Sequence, residues 1–287
     1  MKKVFWILFY VGLFFLGVAY FEGRYGLVSA YIAWDMTEEE KAKYVEDLRQ
    51  GMLEGRKVIE LEYIGSGEDI EEYVIDAISE AFAIDKEDTS SDFDYMRYIH
   101  SASHVGMTGW GRRYKVTYTM EYLESYEQTQ KTDKMVKEVL KKLKLADKSD
   151  YEKIKGVHDY VINASSYDMS TELNSPFYAL VEGTSACQGY AVLIYKMLTE
   201  LDIPCRVITG TAKGGLHAWN IVKLDGKWYN LDATWDDPVG LFGQSSMRYN
   251  YFLKTDSDML DHQRDEEFRS AAFYGEYPMA KESYRKK

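Results

Sequence analysis

Asp225-Gly226 stands between two runs that alternate in polarity, His217-Ala-Trp-Asn-Ile-Val-Lys-Leu224 and Lys227-Trp-Tyr-Asn-Leu-Asp232. Asp-Gly at such a junction predicts a two-residue type I′ turn, because its two positive-φ residues match the twist of the flanking strands. A two-residue loop sets Leu224 against Lys227, Trp219 against Asp232 and His217 against Thr234. His217 and Asp232 then become diagonal neighbours on one face, with Cα atoms about 7–8 Å apart. An imidazole and a carboxylate can hydrogen-bond across that gap. A loop one residue longer would send them to opposite faces.

A second constraint lies upstream. Tyr190, Leu193, Ile194, Met197, Leu198 and Leu201 recur at helical intervals, which predicts an amphipathic helix. Ser185 is its expected N-cap, and Cys187 falls in the first turn. Unpaired backbone N–H groups and the macrodipole favour an anion at a helix start, and thiolate is the nucleophilic form of cysteine. The other reading of a cysteine there is an inert buried residue. Cysteine at a helix start, histidine on a strand and an aspartate that orients it form a thiol triad. In that arrangement Cys187 is the nucleophile and His217 acts as base, then as acid toward the leaving amine. Asp232 fixes the tautomer, and the Cys187 N–H helps to hold an oxyanion. Gln188 and Tyr190 are candidates for the second oxyanion donor, and Trp219 for lining the cleft.

Three segments carry a family resemblance: Gly183-Thr-Ser-Ala-Cys-Gln-Gly-Tyr-Ala191, Gly215-Leu-His-Ala-Trp-Asn220 and Lys227-Trp-Tyr-Asn-Leu-Asp-Ala-Thr-Trp235. They resemble the core of the transglutaminase-like superfamily, in particular its bacterial transglutaminase/protease-like members. Lys155-Gly-Val-His-Asp-Tyr160 and Tyr167-Asp168 resemble the helix that precedes that core. The resemblance covers about residues 150–255. It implies an α+β, papain-like fold with a Cys-bearing helix on an antiparallel sheet, and it carries nucleophile, base and orienting acid onto Cys187, His217 and Asp232. The superfamily includes cross-linking enzymes, cysteine proteases, deglycosylating enzymes and silent members. The sequence shows no acidic loop of the calcium-activated animal type, no zinc spacing and no phosphate loop, so no cofactor or metal is expected.

At the other end, Val4 to Phe21 is free of charge and follows Lys2-Lys3. As a helix it would be about 27 Å long, near the thickness of the bilayer's hydrocarbon core. It predicts an uncleaved signal anchor with the remainder outside the cytoplasm. Val28-Ser29-Ala30 offers the small-residue site a cleaved signal would use. The expected divisions are a membrane segment over 1–34, a small α+β domain over 35–125, a catalytic domain over 126–265 and a tail over 266–287. In the small domain, 95–100 and 114–123 are expected as strands. A net charge of −12, from 35 Lys and Arg against 47 Asp and Glu, lacks the basic footprint of a nucleic-acid binder. The expected partner is a peptide or protein substrate, with no nucleic acid. An exported amide-cleaving or amide-transferring thiol enzyme is the leading expectation; a cell-envelope cysteine peptidase and a silent binding module are the alternatives.

The remaining candidates have blander readings. His158 lies on the apolar stripe of Ile154, Val157 and Val161 and is expected as a hydrogen-bonded core histidine. His100 and His104 are expected to be structural or surface residues. Cys205 is expected to be buried and inert. Asp236 and Asp237 are expected in a solvated turn, and His262 on the surface.

Overall fold

The computed structural model describes residues 34–85, 90–237 and 249–285. The apolar run Val4 to Phe21 lies outside them. Among the described residues no helix is long and apolar enough to cross a membrane. Residues 34–83 and 102–121 form one compact unit, and the other described residues form a second.

The first unit opens with helix α1 (Glu38–Leu53), started by a capping box: the Thr37 hydroxyl accepts from the Glu40 N–H, and the Glu40 carboxylate accepts from the Thr37 N–H. Strand β1 (Val58–Ile64), helix α2 (Ile70–Ala83), and strands β2 (His100–Trp110) and β3 (Arg113–Tyr122) follow. The sheet order is β1-β3-β2. Leu48, Met52, Ile59, Val74 and Val116 are buried between the helices and the sheet.

Residues 95–99 of the 95–100 run expected as a strand are helical: α3 (Asp94–Ile99) belongs to the second unit. Burial decides this. Tyr95, Met96 and Ile99 share a buried helical face, while the buried Asp94 carboxylate accepts from Arg206 Nε and the Val207 N–H, each at 2.7 Å. Those tertiary anchors outweigh the strand preference of Tyr and Ile.

The second unit continues with α4 (Tyr126–Leu143) and α5 (Asp150–Ala164), begun by capping boxes at Ser125 and Ser149. Two-residue strands β4 (Ser166–Tyr167) and β5 (Thr184–Ser185) pair in parallel. Helix α6 (Cys187–Thr199) then lies on an antiparallel sheet of β6 (Cys205–Ala212), β7 (Gly215–Leu224), β8 (Lys227–Leu231) and β9 (His262–Arg264), in the order β8-β7-β6-β9. A short helix α7 (Ala233–Asp236) follows β8, and α8 (Ala271–Glu276) lies near the end. The α6 residues Tyr190, Leu193, Ile194, Met197 and Leu198 are buried, as their spacing predicts. Residues 266–285, expected as a tail, supply Phe268, Phe273 and Tyr277 to a buried cluster with Ile208, Trp219, Ile221 and Trp228.

The hairpin has the expected register: Leu224 pairs with Lys227 and Asn220 with Leu231. Asp225 and Gly226 have φ of 51° and 77°, as a type I′ turn requires. The ladder stops at Leu231, however. Asp232 turns out of the strand as N-cap of α7, so Thr234 does not reach the position opposite His217.

Candidate active site

Cys187 is the first residue of α6, and Ala186 is the N-cap, with no side-chain cap. Ser185, the expected cap, lies one residue earlier in β5, and its hydroxyl donates to the carbonyls of Leu173 and Ser175. The loop before it is braced by Asp168, whose carboxylate accepts from the Ser170 and Leu173 N–H groups at 3.0 Å. Leu173 in turn accepts from the Ala186 N–H at 2.7 Å. A Cβ on Gly189 would stand 1.9 Å from the Ser185 hydroxyl. The helix start thus sits against this loop only because residue 189 is glycine.

His217 lies on β7, buried. Its Nε2 is 2.7 Å from Asp232 Oδ2. An ionised carboxylate only accepts, so Nε2 is the donor, and Nδ1 is left for the Cys187 thiol, which interacts with the imidazole. Burial alone would disfavour protonation of His217. The Asp232 charge and hydrogen bond, with Cys187, outweigh it and push the imidazole pKa up to about 10. Burial would likewise raise the Asp232 carboxyl, but His217 and His262 hold it below the usual carboxylate range. Asp232 also caps α7, its Oδ1 accepting from the Trp235 N–H at 3.2 Å. That second bond fixes the carboxylate plane. Rings of Trp219, at 6.0 Å, and Trp235, at 5.7 Å, flank His217.

Two residues join the site that the sequence reading did not put there. Tyr167, read with Asp168 as part of the preceding helix, follows α5 in β4. Its pairing with Ser185 brings the hydroxyl to Cys187. Burial, then the neighbouring Cys187, pushes its pKa up to about 12. His262, expected on the surface, has a side chain only 2% exposed, and its Nε2 is 2.9 Å from Asp232 Oδ2. The pairing of β9 with β6 places it. Gly210 pairs with His217 on one side and Arg264 on the other, and a Cβ there would stand 2.1 Å from the Gln263 carbonyl oxygen. Ligand atoms of His217, Asp232 and His262 lie within 4.8 Å of one another. The 2.7 and 2.9 Å separations are hydrogen-bond lengths, so a donor Nε2 on each ring accounts for the grouping.

The candidate substrate-side residues are committed elsewhere. Gln188 Nε2 donates to the Tyr98 carbonyl at 2.6 Å. Tyr190 is core, its hydroxyl donating to Asp237 at 2.8 Å. Trp219 is buried against His217, donates from Nε1 to Asn230 at 3.1 Å, and borders a hollow with His262 and Arg264. Asp236 and Asp237, expected in solvent, are buried. Asp236 meets the fully buried His158, the expected core histidine, at 3.2 Å. Cys205 is buried and free, and burial pushes its thiol up. Its position is the expected inert one.

Comparison with known proteins bears out the resemblance. Residues 116–233 match the family model of the transglutaminase-like superfamily, a span that contains Cys187, His217 and Asp232. The kyphoscoliosis peptidases of Mus musculus and Homo sapiens are each 26% identical over 132 residues, covering 40% of this chain and 20% of the relative. The chain thus spans about a fifth of the length of these curated relatives. A crystal structure of a TGase is similar with a TM-score of 0.37 and 18% identity, covering 53% of this chain and 48% of that one.

Proposed function

From the transglutaminase-like match over residues 116–233, we propose that this chain is a papain-like thiol enzyme acting on an amide of a peptide or protein. The observation that carries the reading is His217 set between Asp232 and Cys187, with the cysteine at a helix start. The Cys187 thiolate attacks the amide carbon. The tetrahedral oxyanion lies toward the Cys187 N–H and the Tyr167 hydroxyl, which takes the role first considered for Gln188 and Tyr190. The C–N bond breaks as His217 passes its proton to the departing nitrogen, leaving a thioacyl group on sulfur. Water or a second amine then attacks that carbon, His217 takes its proton, and the thiolate returns.

Hydrolysis and transfer share this path and differ in the acceptor. The peptidase name of the curated relatives favours hydrolysis, with transfer to an amine as the alternative. Alkylation of the chain at varied pH tests the thiol. Cys187 is expected to react far faster than a free cysteine at pH 6, and His217→Ala to remove the advantage; a rate no different from free thiol supports the silent binding module instead. Glutamine-containing peptides with a labelled amine separate the outcomes: released acid for hydrolysis, incorporated label for transfer. We also propose that residues 4–21 anchor the chain in the membrane with the thiol domain outside the cytoplasm. External protease should then digest that domain on intact cells, and digestion only after lysis overturns the topology.

A further inference from the structure

His262 has no part in the proton transfers just described, yet it is built into the same hydrogen-bond chain. Its side chain is 2% exposed and both ring nitrogens are engaged. Nε2 meets Asp232 Oδ2 at 2.9 Å, the same oxygen that His217 meets at 2.7 Å. Nδ1 meets Asp261 Oδ1 at 2.9 Å, and the Tyr251 hydroxyl donates to the other Asp261 oxygen at 2.7 Å. The rings of Trp219, Trp235, Tyr251 and His217 pack around it, with centroids 5.1 to 5.4 Å away. Lys213 lies over the outer neighbour Trp235, and Arg264 borders the same hollow as His262. That hollow, about 180 Å³, leaves one flank of the imidazole without dense packing. Hydrogen bonds at both nitrogens, together with these ring contacts, fix the ring.

We propose that His262 is a positioning residue: by donating to Asp232 Oδ2, the oxygen that also accepts from His217, it keeps that buried carboxylate ionised and aimed at the catalytic histidine. The inference rests on the thiol-enzyme reading for its consequence but not for its geometry. Burying a carboxylate with too few donors favours its protonation, and a protonated Asp232 no longer accepts freely from His217. Among the described residues Asp232 has three donors: the Trp235 N–H on Oδ1, and His217 and His262 on Oδ2. Asp261, anchored by Tyr251, holds His262 in turn. Removing one hydrogen-bond donor from a buried charged group weakens the hold on that charge by about tenfold or more.

Two variants separate the two ends of the imidazole. In His262→Gln the amide nitrogen falls near Nε2 and can still serve Asp232. In His262→Asn it falls near Nδ1 and serves only Asp261. His262→Ala serves neither. The test uses the full chain labelled with carboxyl-¹³C aspartate, the Asp232 signal being assigned through Asp232→Asn, and follows that signal by NMR as pH is lowered. Thermal melting identifies folded protein, and iodoacetamide alkylation of Cys187 is run in parallel. We expect Asp232 to stay ionised to the lowest pH at which the fold survives in the wild type and in His262→Gln. In His262→Asn and His262→Ala it should titrate at a pH higher by about one unit, equivalent to tenfold in proton affinity, and the acid limb of Cys187 alkylation should rise with it. A shift in Asn but not Gln is a result that a packing role does not give. Equal Asp232 titration in all four proteins overturns the proposal whatever Cys187 does, as does a Gln variant that shifts like Ala. An unreactive Cys187 with the Asp232 pattern intact overturns the enzyme reading and leaves the assignment of His262 standing.

Discussion

Helix α7 and the residue before it carry two buried aspartates, Asp232 and Asp236, and each meets a buried histidine. The two pairs differ in what the other imidazole nitrogen faces. His158 is enclosed between carboxylates, Asp236 at 3.2 Å and Asp159 at 3.3 Å, so both nitrogens are occupied. His217 has a carboxylate on one side and a thiol on the other. A buried histidine–carboxylate pair becomes a base only when a nitrogen remains for a transferable proton. The carboxylates differ as well. Burial raises Asp236 despite His158, whereas His217 and His262 together hold Asp232 low.

The sharpest way to break the comparison is to remove one aspartate from each pair. Asp236→Ala leaves His158 buried beside Asp159 alone and frees the Tyr251 N–H that Asp236 accepts at 3.0 Å. Breaking a buried pair on one side costs about 3–5 kcal/mol, and urea unfolding should show a loss of that size. The protein that remains folded should alkylate at Cys187 within about threefold of the wild-type rate. A large loss of thiol reactivity without a loss of stability would make His158–Asp236 part of the chemistry.

The reciprocal substitution is His217→Ala. His217, pushed up to about 10, keeps its proton at pH 6, and that cation stabilises a thiolate. An unassisted cysteine has a pKa of about 8.5, so less than about 1% is ionised at pH 6. Alkylation at that pH should therefore fall by about two orders of magnitude, against a change within about threefold for Asp236→Ala. Equal rates in the wild type and His217→Ala would make the two pairs alike in being structural.

Stability against pH distinguishes the pairs less strongly. The His217 pKa is raised on folding, so its pairing contributes full stability below its ordinary value of 6.5 and loses it as pH rises through about 10. The stability difference between wild type and His217→Gln should accordingly shrink between pH 6.5 and 10. His158 is raised too, for the same reason of neighbouring carboxylates outweighing burial, and its contribution also fades on the alkaline side. Asp232 runs the other way. Its lowered pKa gives stability that is present above the ordinary 3.8 and lost only as pH falls well below it. Denaturant midpoints across about pH 2 to 10 check all three signs.

What could be read from sequence follows the range of each interaction. The hairpin was legible because Asp225-Gly226 sets a local geometry, and register follows from it. The thiol's place was legible because the helical period after Cys187 spans three turns. The α5 stripe revealed His158 as core, but not its partner, 78 positions away. His262 was missed because its burial depends on β9 reaching β6 beside Gly210, a pairing that a three-residue strand does not announce. Asp236 and Asp237 precede a proline and have the composition of a turn; their burial comes from His158 and Tyr190, which local sequence does not show. The Ser185 cap failed by one residue, since the serine hydroxyl found carbonyls in a loop ten to twelve positions earlier.

The smallest effect concerns the two sides of the Cys187 helix start. Gln188 was an attractive oxyanion donor because it follows the nucleophile, but its amide is used on the Tyr98 carbonyl at 2.6 Å. Tyr167 has the opposite profile: distant in sequence, with its hydroxyl at the thiol. A peptide aldehyde tests the difference, because its hemithioacetal with Cys187 develops an oxyanion. Tyr167→Phe should weaken aldehyde binding by about tenfold or more. Gln188→Ala should leave that affinity within about twofold and cost only about 1 kcal/mol of stability, the net worth of one hydrogen bond. If Gln188→Ala instead weakens the aldehyde while Tyr167→Phe does not, the oxyanion lies on the helix side of the thiol, and Gln188 leaves the Tyr98 carbonyl when substrate arrives.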